Sequence, residues 1–188
     1  MVRLTGMTQT PTRIVALVGS LRADSLNRRI AEALRDQTPE GVVLEIAEGL
    51  ADLPFYNEDV DATATPAAAL ALRELVAGAD AVLAVTPEYN GTMPAVLNNA
   101  IDWLSRPYGA AALTGKPFGV VGATPTPYGG KWAHEDAVRS FGVAGAVVVD
   151  GAVHSQSAID VNVLEDADIL GRLQAVVDSL ATFQRAAA

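Results

Sequence analysis

Polar side chains suited to binding an anion are concentrated in one short stretch near the beginning of the chain. Ser20 and Ser25 carry hydroxyl donors, and Asn27 carries an amide donor. Arg22 adds a planar, permanently charged guanidinium that can form two parallel hydrogen bonds to one phosphate. The spacing of these donors predicts a site for a phosphate-bearing ligand.

The flanking residues place this stretch in a loop between a strand and a helix. Residues 14–18 form a continuous apolar, mostly branched run, which is typical of a strand buried on both faces. Beyond the loop, apolar residues recur at helical spacing at Leu26, Ile30, Ala33 and Leu34. Because the first N–H groups of a helix and its dipole attract anions, the loop would present its donors where an anion is already favoured.

Each of these loop residues also has a simpler explanation. Gly19 would only form the turn, Ser25 would only cap the helix, and Arg22 would be a solvated surface charge. We favour the anion site because three separate coincidences would otherwise have to fall within one short loop.

Composition narrows the chemistry that such a site can perform. With 22 acidic and 13 basic residues, the formal net charge of −9 would repel nucleic acids and anionic membranes, so an anion site needs a local cation such as Arg22. The absence of cysteine excludes disulfides, thiolate catalysis, iron–sulfur clusters and cysteine zinc sites. Any redox chemistry must therefore come from a bound cofactor.

The two histidines, His134 and His154, stand twenty residues apart with no nucleophile motif beside either. We favour surface or loop packing over catalysis for both. The two-histidine helical motif of metal sites is absent, and no metal site is predicted.

The length of 188 residues suits one domain, predicted to occupy residues 13–188. Residues 1–12 lack the apolar core of a signal peptide and are expected to form a flexible extension, with Met7 as an alternative start. No apolar run approaches the length of a membrane span, and we expect a cytoplasmic protein.

The apolar pattern predicts an alternation of strands and helices. The predicted strands cover residues 14–18, 42–46, 79–86, 118–121 and 146–149. Five helices separate and follow them, residues 47–65 form a long connection, and residues 150–162 form an irregular stretch. Right-handed crossovers would join these elements into an α/β three-layer sandwich around a five-stranded parallel sheet.

Two further loops follow buried strands and lead into helices. The first of these, residues 87–93, precedes a helix with Pro94 near its first turn, and the other runs from Thr124 to Gly130. The carboxyl ends of parallel strands line one crevice, so both loops should face the same ligand as Arg22. For Asn90 and Gly91 an ordinary turn is the alternative.

Two motifs in this order carry a resemblance to a known family. The first is Gly19–Arg22 with Ser25 and Asn27, and the second is Thr86–Asn90 followed by Asn98–Ser105. Together they resemble the NADPH-dependent FMN reductase family, which includes quinone, chromate and azo-dye reductases on a flavodoxin-like fold. The order of segments matches over nearly the whole chain.

The resemblance implies a sheet in the order 2-1-3-4-5 with FMN at its carboxyl edge. The loop that contains Arg22 would hold the FMN phosphate. The loop over residues 87–93 would wrap the ribityl chain and the ring, largely through backbone groups. The cofactor-binding residues that it implies are Ser20, Arg22, Ser25, Leu26, Asn27, Pro87, Glu88, Tyr89, Asn90, Gly91 and Thr124. No catalytic side chain is assigned, because hydride transfer from a nicotinamide to a flavin requires no side chain as acid or base.

The resemblance implies an FMN-dependent NAD(P)H oxidoreductase with a ping-pong sequence, in which NADPH or alternatively NADH reduces the flavin. Free flavin, quinones, azo compounds and chromate-like oxyanions all remain open as acceptors. The alternative is a flavodoxin-type electron carrier or a flavin sensor without nicotinamide turnover. Against the carrier, flavodoxins usually have a phosphate loop rich in threonine and serine that lacks an arginine such as Arg22.

The resemblance also implies a homodimer or homotetramer, with Trp103 near the flavin of another copy; core packing is the alternative for Trp103. Relatives carry a serine-rich stretch before the paired glycines of the third loop, where this chain has Thr124–Tyr128. This departure leaves the choice of acceptor open.

Overall fold

Five parallel strands form one sheet in the order β2-β1-β3-β4-β5. The strands are β1 (Thr12–Val18), β2 (Val42–Ile46), β3 (Ala81–Val85), β4 (Pro117–Thr124) and β5 (Val147–Ser157). The computed structural model describes residues 10–183. The strand order is that of flavodoxin-like folds and confirms the fold class expected from the sequence.

Helices cover both faces of the sheet. They are α1 (Leu26–Asp36), α2 (Glu58–Ala64), α3 (Ala67–Ala77), α4 (Ala95–Leu104), α5 (Lys131–Val143) and α6 (Ala167–Thr182), with a 3-10 turn at Leu50–Asp52. The additional helix is α2, which lies within the connection predicted over residues 47–65. It buries no residue and is held by its Asn57 cap, whose side chain accepts from Asp59 N at 2.8 Å, so it leaves no apolar stripe in the sequence.

Alternate side chains of each central strand enter opposite halves of the core. Val15 and Leu17 of β1 join the cluster that contains Trp103, whereas Ile14 and Ala16 join the cluster on the other face. The first cluster draws on α3, α4 and α5, and the second on α1 and α6. Burial on both faces explains why the central strands appear in the sequence as uninterrupted apolar runs.

The fifth strand is longer than the sequence predicted. Residues 150–157, predicted to be irregular, belong to β5, and the pairing with β4 shifts register between Phe118 and Val120. This strand is at the edge of the sheet, so its polar residues and Gly151 interrupt the apolar pattern without ending the strand. His154 therefore lies on β5, opposite Val121.

Two further sequence boundaries differ from the observed ones. The fourth strand extends to Thr124, which is its last residue, and β1 already begins at Thr12. Most of the expected extension over residues 1–12 lies outside the described residues. None of the helices between residues 10 and 183 has both the length and the apolar character needed to cross a membrane.

Candidate functional site

Three loops meet at the carboxyl edge of the sheet and form the crevice. They are the first loop (residues 19–25), the second loop (residues 87–93) and the third loop (residues 125–130), which follow β1, β3 and β4. Gly19 N donates to Val85 O at 2.9 Å, and Thr86 N donates to Val121 O at 3.0 Å. These bonds continue the sheet ladder into the loops and bring the three strand ends side by side.

The first loop ends at the cap of α1. Ser25 Oγ accepts from Arg28 N at 3.2 Å, and Ser25 O accepts the first intrahelical bond, from Arg29 N at 3.1 Å. The N–H groups of Leu26 and Asn27 precede that bond, so the helix itself offers them no acceptor. Since an accepting hydroxyl can still donate its own proton, Ser25 is both a cap and an available donor.

Two arginines flank this helix end, and they differ in their partners. The guanidinium of Arg28 bonds Glu48 at 3.0 and 2.6 Å and Glu32 at 2.9 Å; these carboxylates raise its pKa, and the bond to Arg28 lowers the pKa of Glu48. Arg22 is exposed and makes one 3.4 Å bond, to Asp24 O. Among the described residues no ion pair includes Arg22, so its charge is available to a ligand.

A cavity of about 300 Å³ adjoins the first loop. Its lining includes Ser20, Arg22, Arg28 and Glu48, so it lies between the loop and the chain that follows β2. Ser20 itself is buried. The loop thus has a polar recess beside it, with one compensated and one uncompensated guanidinium on its wall.

The side chain of Asn27 lies in the interior and not on the surface of the loop. Its Nδ2 donates to Ala123 O at 2.9 Å, and its Oδ1 accepts from Ala123 N at 2.9 Å. This pair of bonds ties the start of α1 to β4. The sequence suggested an amide donor for phosphate, whereas the structure commits the amide to β4 and leaves the backbone N–H of Asn27 facing the helix end.

The second loop contains a tight turn. Tyr89 and Thr92 exchange backbone hydrogen bonds of 3.0 and 3.1 Å, and Asn90 and Gly91 between them have φ values of 53° and 74°. Two consecutive residues with positive φ define a type I′ turn, which favours the pair Asn-Gly. The turn suggested as the alternative for these two residues is therefore present.

The carboxylate of Glu88 fastens the second loop to α5. Its Oε2 accepts from Trp132 N at 3.0 Å and from Ala133 N at 3.2 Å. The cap position of α5 is Gly130, which has no side chain to serve these N–H groups. A second hydrogen bond joins the same loop to α5, because Thr92 Oγ1 donates to the carboxylate of Asp136.

Two aromatic rings are exposed where the third loop meets α5. Tyr128 and Trp132 are exposed, and their ring centroids are 4.6 Å apart at an interplanar angle of 41°. Thr124, assigned to the cofactor site from the sequence, is buried at the end of β4, with its hydroxyl 3.0 Å from that of Thr126. Thr124 therefore lies beneath the loop.

Thr86 and His134 lie in the interior, next to the strand ends that carry the loops. Thr86 is fully buried, and a Cβ added at Gly122 would lie 2.0 Å from its carbonyl oxygen, so only glycine fits there. His134 is 1% exposed: its Nε2 is 3.1 Å from Thr86 O, and its Nδ1 is 2.7 Å from Ser155 Oγ. Burial lowers the pKa of His134 to about 4.

The expectation of surface or loop packing is thus wrong for His134. It lies on the buried face of α5 with Ala137 and Phe141, at helical spacing. That spacing is visible in the sequence and was the signal that could have located it.

Trp103 is a core residue. It is fully buried, its Nε1 donates to Pro54 O at 2.8 Å, and its ring packs edge-on against Tyr56 at 4.9 Å between centroids. The guanidinium of Arg73 lies 5.6 Å above the ring. These contacts agree with the packing alternative for Trp103, whose ring is enclosed within one chain.

The donor set of the first loop fits a phosphate monoester such as that of FMN. Two N–H groups of a helix end, two serine hydroxyls and one uncompensated guanidinium lie in the segment that joins β1 to α1. Within residues 10–183 no group of three or more histidine, cysteine or carboxylate side chains is arranged to hold a metal ion.

Comparison with known proteins finds an FMN-binding family and reductases similar to this chain. A family described as NADPH-dependent FMN reductase matches residues 12–160. A quinone reductase from Pseudomonas putida is 49% identical over 126 residues, 67% of each chain. A 2-hydroxy-1,4-benzoquinone reductase from Burkholderia sp is 42% identical over 112 residues, 60% of each chain.

One solved structure is similar to this chain in both fold and sequence. FerB, a flavoenzyme NAD(P)H:(acceptor) oxidoreductase from Paracoccus denitrificans, covers 90% of this chain and 95% of its own at 32% identity, with a TM-score of 0.79. The family match spans β1 to β5 and includes all three crevice loops. The donor set of the first loop, the flavodoxin-like sheet and these similarities lead to one conclusion: the chain belongs to the NADPH-dependent FMN reductase family and is an FMN- and NAD(P)H-dependent oxidoreductase.

Proposed function

We propose that the protein transfers a hydride from NADPH to bound FMN and then passes the electrons to a quinone, in a ping-pong sequence. The observation that carries this proposal is the uncompensated Arg22 beside two N–H groups at the start of α1, in a chain 49% identical to a quinone reductase. Quinones are favoured over azo compounds and oxyanions because two of the similar proteins are named for quinone reduction.

The first loop would bind the FMN phosphate. Arg22 contributes the charge, Ser20 and Ser25 contribute hydroxyl donors, and Leu26 and Asn27 contribute backbone N–H groups. Asn27 has a second role, because its side chain holds this helix end against β4. The helix end that would receive the phosphate is already held in place before the phosphate arrives.

The second loop would contact the ribityl chain and the flavin ring through Pro87, Tyr89, Asn90 and Gly91. The reciprocal bonds between Tyr89 and Thr92 hold the backbone of the turn in one shape, and Glu88 holds the loop on α5. When bound, FMN supplies reversible two-electron chemistry between a nicotinamide and an acceptor. The chain contributes by fixing the position of both reactants and by excluding water around them.

A direct test begins with the purified protein loaded with FMN under anaerobic conditions. We expect NADPH to bleach the visible flavin absorbance rapidly, and a quinone added afterwards to restore it. Product inhibition patterns and parallel double-reciprocal lines would support the ping-pong order. A bound flavin that NADPH leaves oxidised would instead favour the electron carrier or the flavin sensor.

We also propose that the protein forms a homodimer or homotetramer through the face around α4 and the end of α5. A cavity of about 930 Å³ on this face is bordered by Tyr108, which is 95% exposed, and by the exposed Val143. Asp102, Arg106 and Arg139 also line it, and such a mixture of apolar and charged groups is typical of protein interfaces. Sedimentation equilibrium should give an oligomer that the substitution Val143→Glu dissociates; a native monomer at micromolar concentration would contradict the proposal.

A further inference from the structure

We propose that His134 is a positioning residue of the crevice, which sets the place of the second loop through the backbone carbonyl of Thr86. The proposal rests on the proposed function, because it takes the second loop to contact the flavin. His134 does not open to the crevice, so it acts through the loop and not on the substrate.

The partners of the imidazole determine where its proton is. Nε2 lies 3.1 Å from Thr86 O, and a carbonyl oxygen can only accept, so Nε2 carries the proton. In the neutral ring Nδ1 is then an acceptor and receives the hydroxyl proton of Ser155 at 2.7 Å. One side chain on α5 thereby joins the end of β3 to β5.

The glycines around the imidazole leave room for it in this position. A Cβ added at Gly122 would lie 2.9 Å from Nε2 of His134, and a Cβ added at Gly130 would lie 3.4 Å from the same atom. The imidazole thus fills space that these residues leave open. Because the imidazole is buried and hydrogen-bonded at both nitrogens, it holds the Thr86 carbonyl in place.

Both anchors of the second loop converge on the first turn of α5. His134 N donates to Gly130 O at 3.1 Å, which places His134 in that turn, and Trp132 N and Ala133 N in the same turn bind Glu88. The loop is therefore held before Pro87 by the His134 side chain and at Glu88 by the helix end. Loss of the His134 bond would leave the Thr86 carbonyl buried without this partner and free the loop to shift.

Two substitutions separate the two hydrogen bonds of His134. Glutamine places an amide nitrogen near the position of Nε2, so His134→Gln should keep the bond to Thr86. Asparagine is shorter and reaches only the region of Nδ1, so His134→Asn should keep the contact with Ser155 and lose the bond to Thr86. The matched control Ser155→Ala removes the other partner.

The FMN dissociation constant, measured by the quenching of flavin fluorescence, is the readout. We expect His134→Gln and Ser155→Ala to stay within about threefold of the native protein and His134→Asn to weaken binding about tenfold or more. The visible spectrum of bound FMN should change only in the asparagine variant. Equal affinities for the glutamine and asparagine variants would overturn the role of His134.

A second measurement needs no variant. In the native protein, nitrogen NMR of the imidazole should report the proton on Nε2; a proton on Nδ1 would overturn the proposal even if His134→Asn fails to fold. Failure of the native protein to bind FMN would overturn the proposed function itself. If the native protein binds FMN and His134→Asn binds it equally well, only the role of His134 is overturned.

Discussion

The charge of a guanidinium is useful to a ligand only when no carboxylate already neutralises it. Arg28 lies beside the first loop but is engaged by Glu32 and Glu48, whereas Arg22 makes one weak bond to a backbone carbonyl. In a chain of net charge −9, this difference decides which arginine can bind a phosphate.

We expect Arg22→Ala to raise the FMN dissociation constant at least about tenfold, because hydrogen bonds to charged groups contribute about 1.5–3 kcal/mol. A fluorescence titration at several salt concentrations measures both the affinity and its electrostatic part. The matched control is Arg28→Ala, which removes an already paired cation and should change the affinity less. Equal effects of the two substitutions would contradict the assignment of the phosphate to Arg22.

The side chain of Asn27 links two elements that are far apart in sequence, so its loss should be felt in the stability of the whole chain. We expect Asn27→Ala to lower the free energy of unfolding by about 2–4 kcal/mol, because it leaves both backbone groups of Ala123 unpaired in the interior. Urea denaturation of the FMN-free protein measures this loss. Gln37→Ala, at an exposed amide at the end of α1, is the control, and a similar loss there would argue against the role of the Asn27 bonds.

Residue types in the loops could be predicted, but their partners could not. The sequence singled out Asn27 and Glu88 as polar residues of the crevice. Their side chains bind Ala123 and the start of α5, which are distant in sequence, and no local pattern specifies such pairs. What the sequence does contain is Gly130, a helix start without a side-chain cap, which signals that an acceptor must come from elsewhere.

At the scale of elements, the second loop and α5 behave as one structural unit. Glu88 and Asp136 fasten the loop to the helix, and the helix end receives from Glu88 the acceptor that Gly130 cannot supply. A change at either partner should therefore be felt in both.

We expect Glu88→Ala to destabilise the protein by about 1 kcal/mol, the usual contribution of a helix cap together with the charge at the helix end. Hydrogen exchange should increase both in residues 87–93 and in the first turn of α5. The control is Glu135→Ala, an exposed carboxylate of the same helix with a 3.7 Å contact to Lys131. Faster exchange confined to the loop would contradict the coupling.

Elements with a buried stripe or a doubly buried run could be predicted, and those without one could not. The central strands β1 and β3 and the helix Ala67–Ala77 appear in the sequence because both their pattern and their ends are marked. The helix α2 buries nothing, and the edge strand β5 carries polar residues through a bulge. Their burial patterns differ from those that sequence periodicity detects.

At the scale of the whole molecule, His134 makes stability depend on pH. Burial lowers its pKa from 6.5 to about 4, so between these values the unfolded chain binds a proton that the folded chain does not. The contribution of His134 to the free energy of unfolding is therefore fully present above pH 6.5. It is lost as the pH falls, by about 3 kcal/mol at pH 4. Electrostatic repulsion from the nearby His154 also lowers the pKa of His134, by less than burial does.

Urea denaturation from pH 7 to pH 4 measures how the free energy of unfolding depends on pH. His134→Gln should abolish the part that belongs to His134, while the carboxylates whose pKa is lowered by arginines, Glu48 and Asp61, contribute to native protein and variant alike. The difference between the two curves therefore isolates His134. Parallel curves would show that the pKa of His134 is the same in the folded and unfolded chains and would contradict the effect of burial.

The two tryptophans provide a built-in optical readout of the crevice. Trp103 is fully buried, so its emission should be shifted to short wavelength and protected from iodide, whereas Trp132 is 44% exposed and should emit at longer wavelength and be quenched. Because the backbone of Trp132 is bonded to Glu88, movement of the second loop should alter the second emission and leave the first as an internal reference. Ligand binding can thus be followed in real time in the unlabelled protein, at the two tryptophan emission wavelengths.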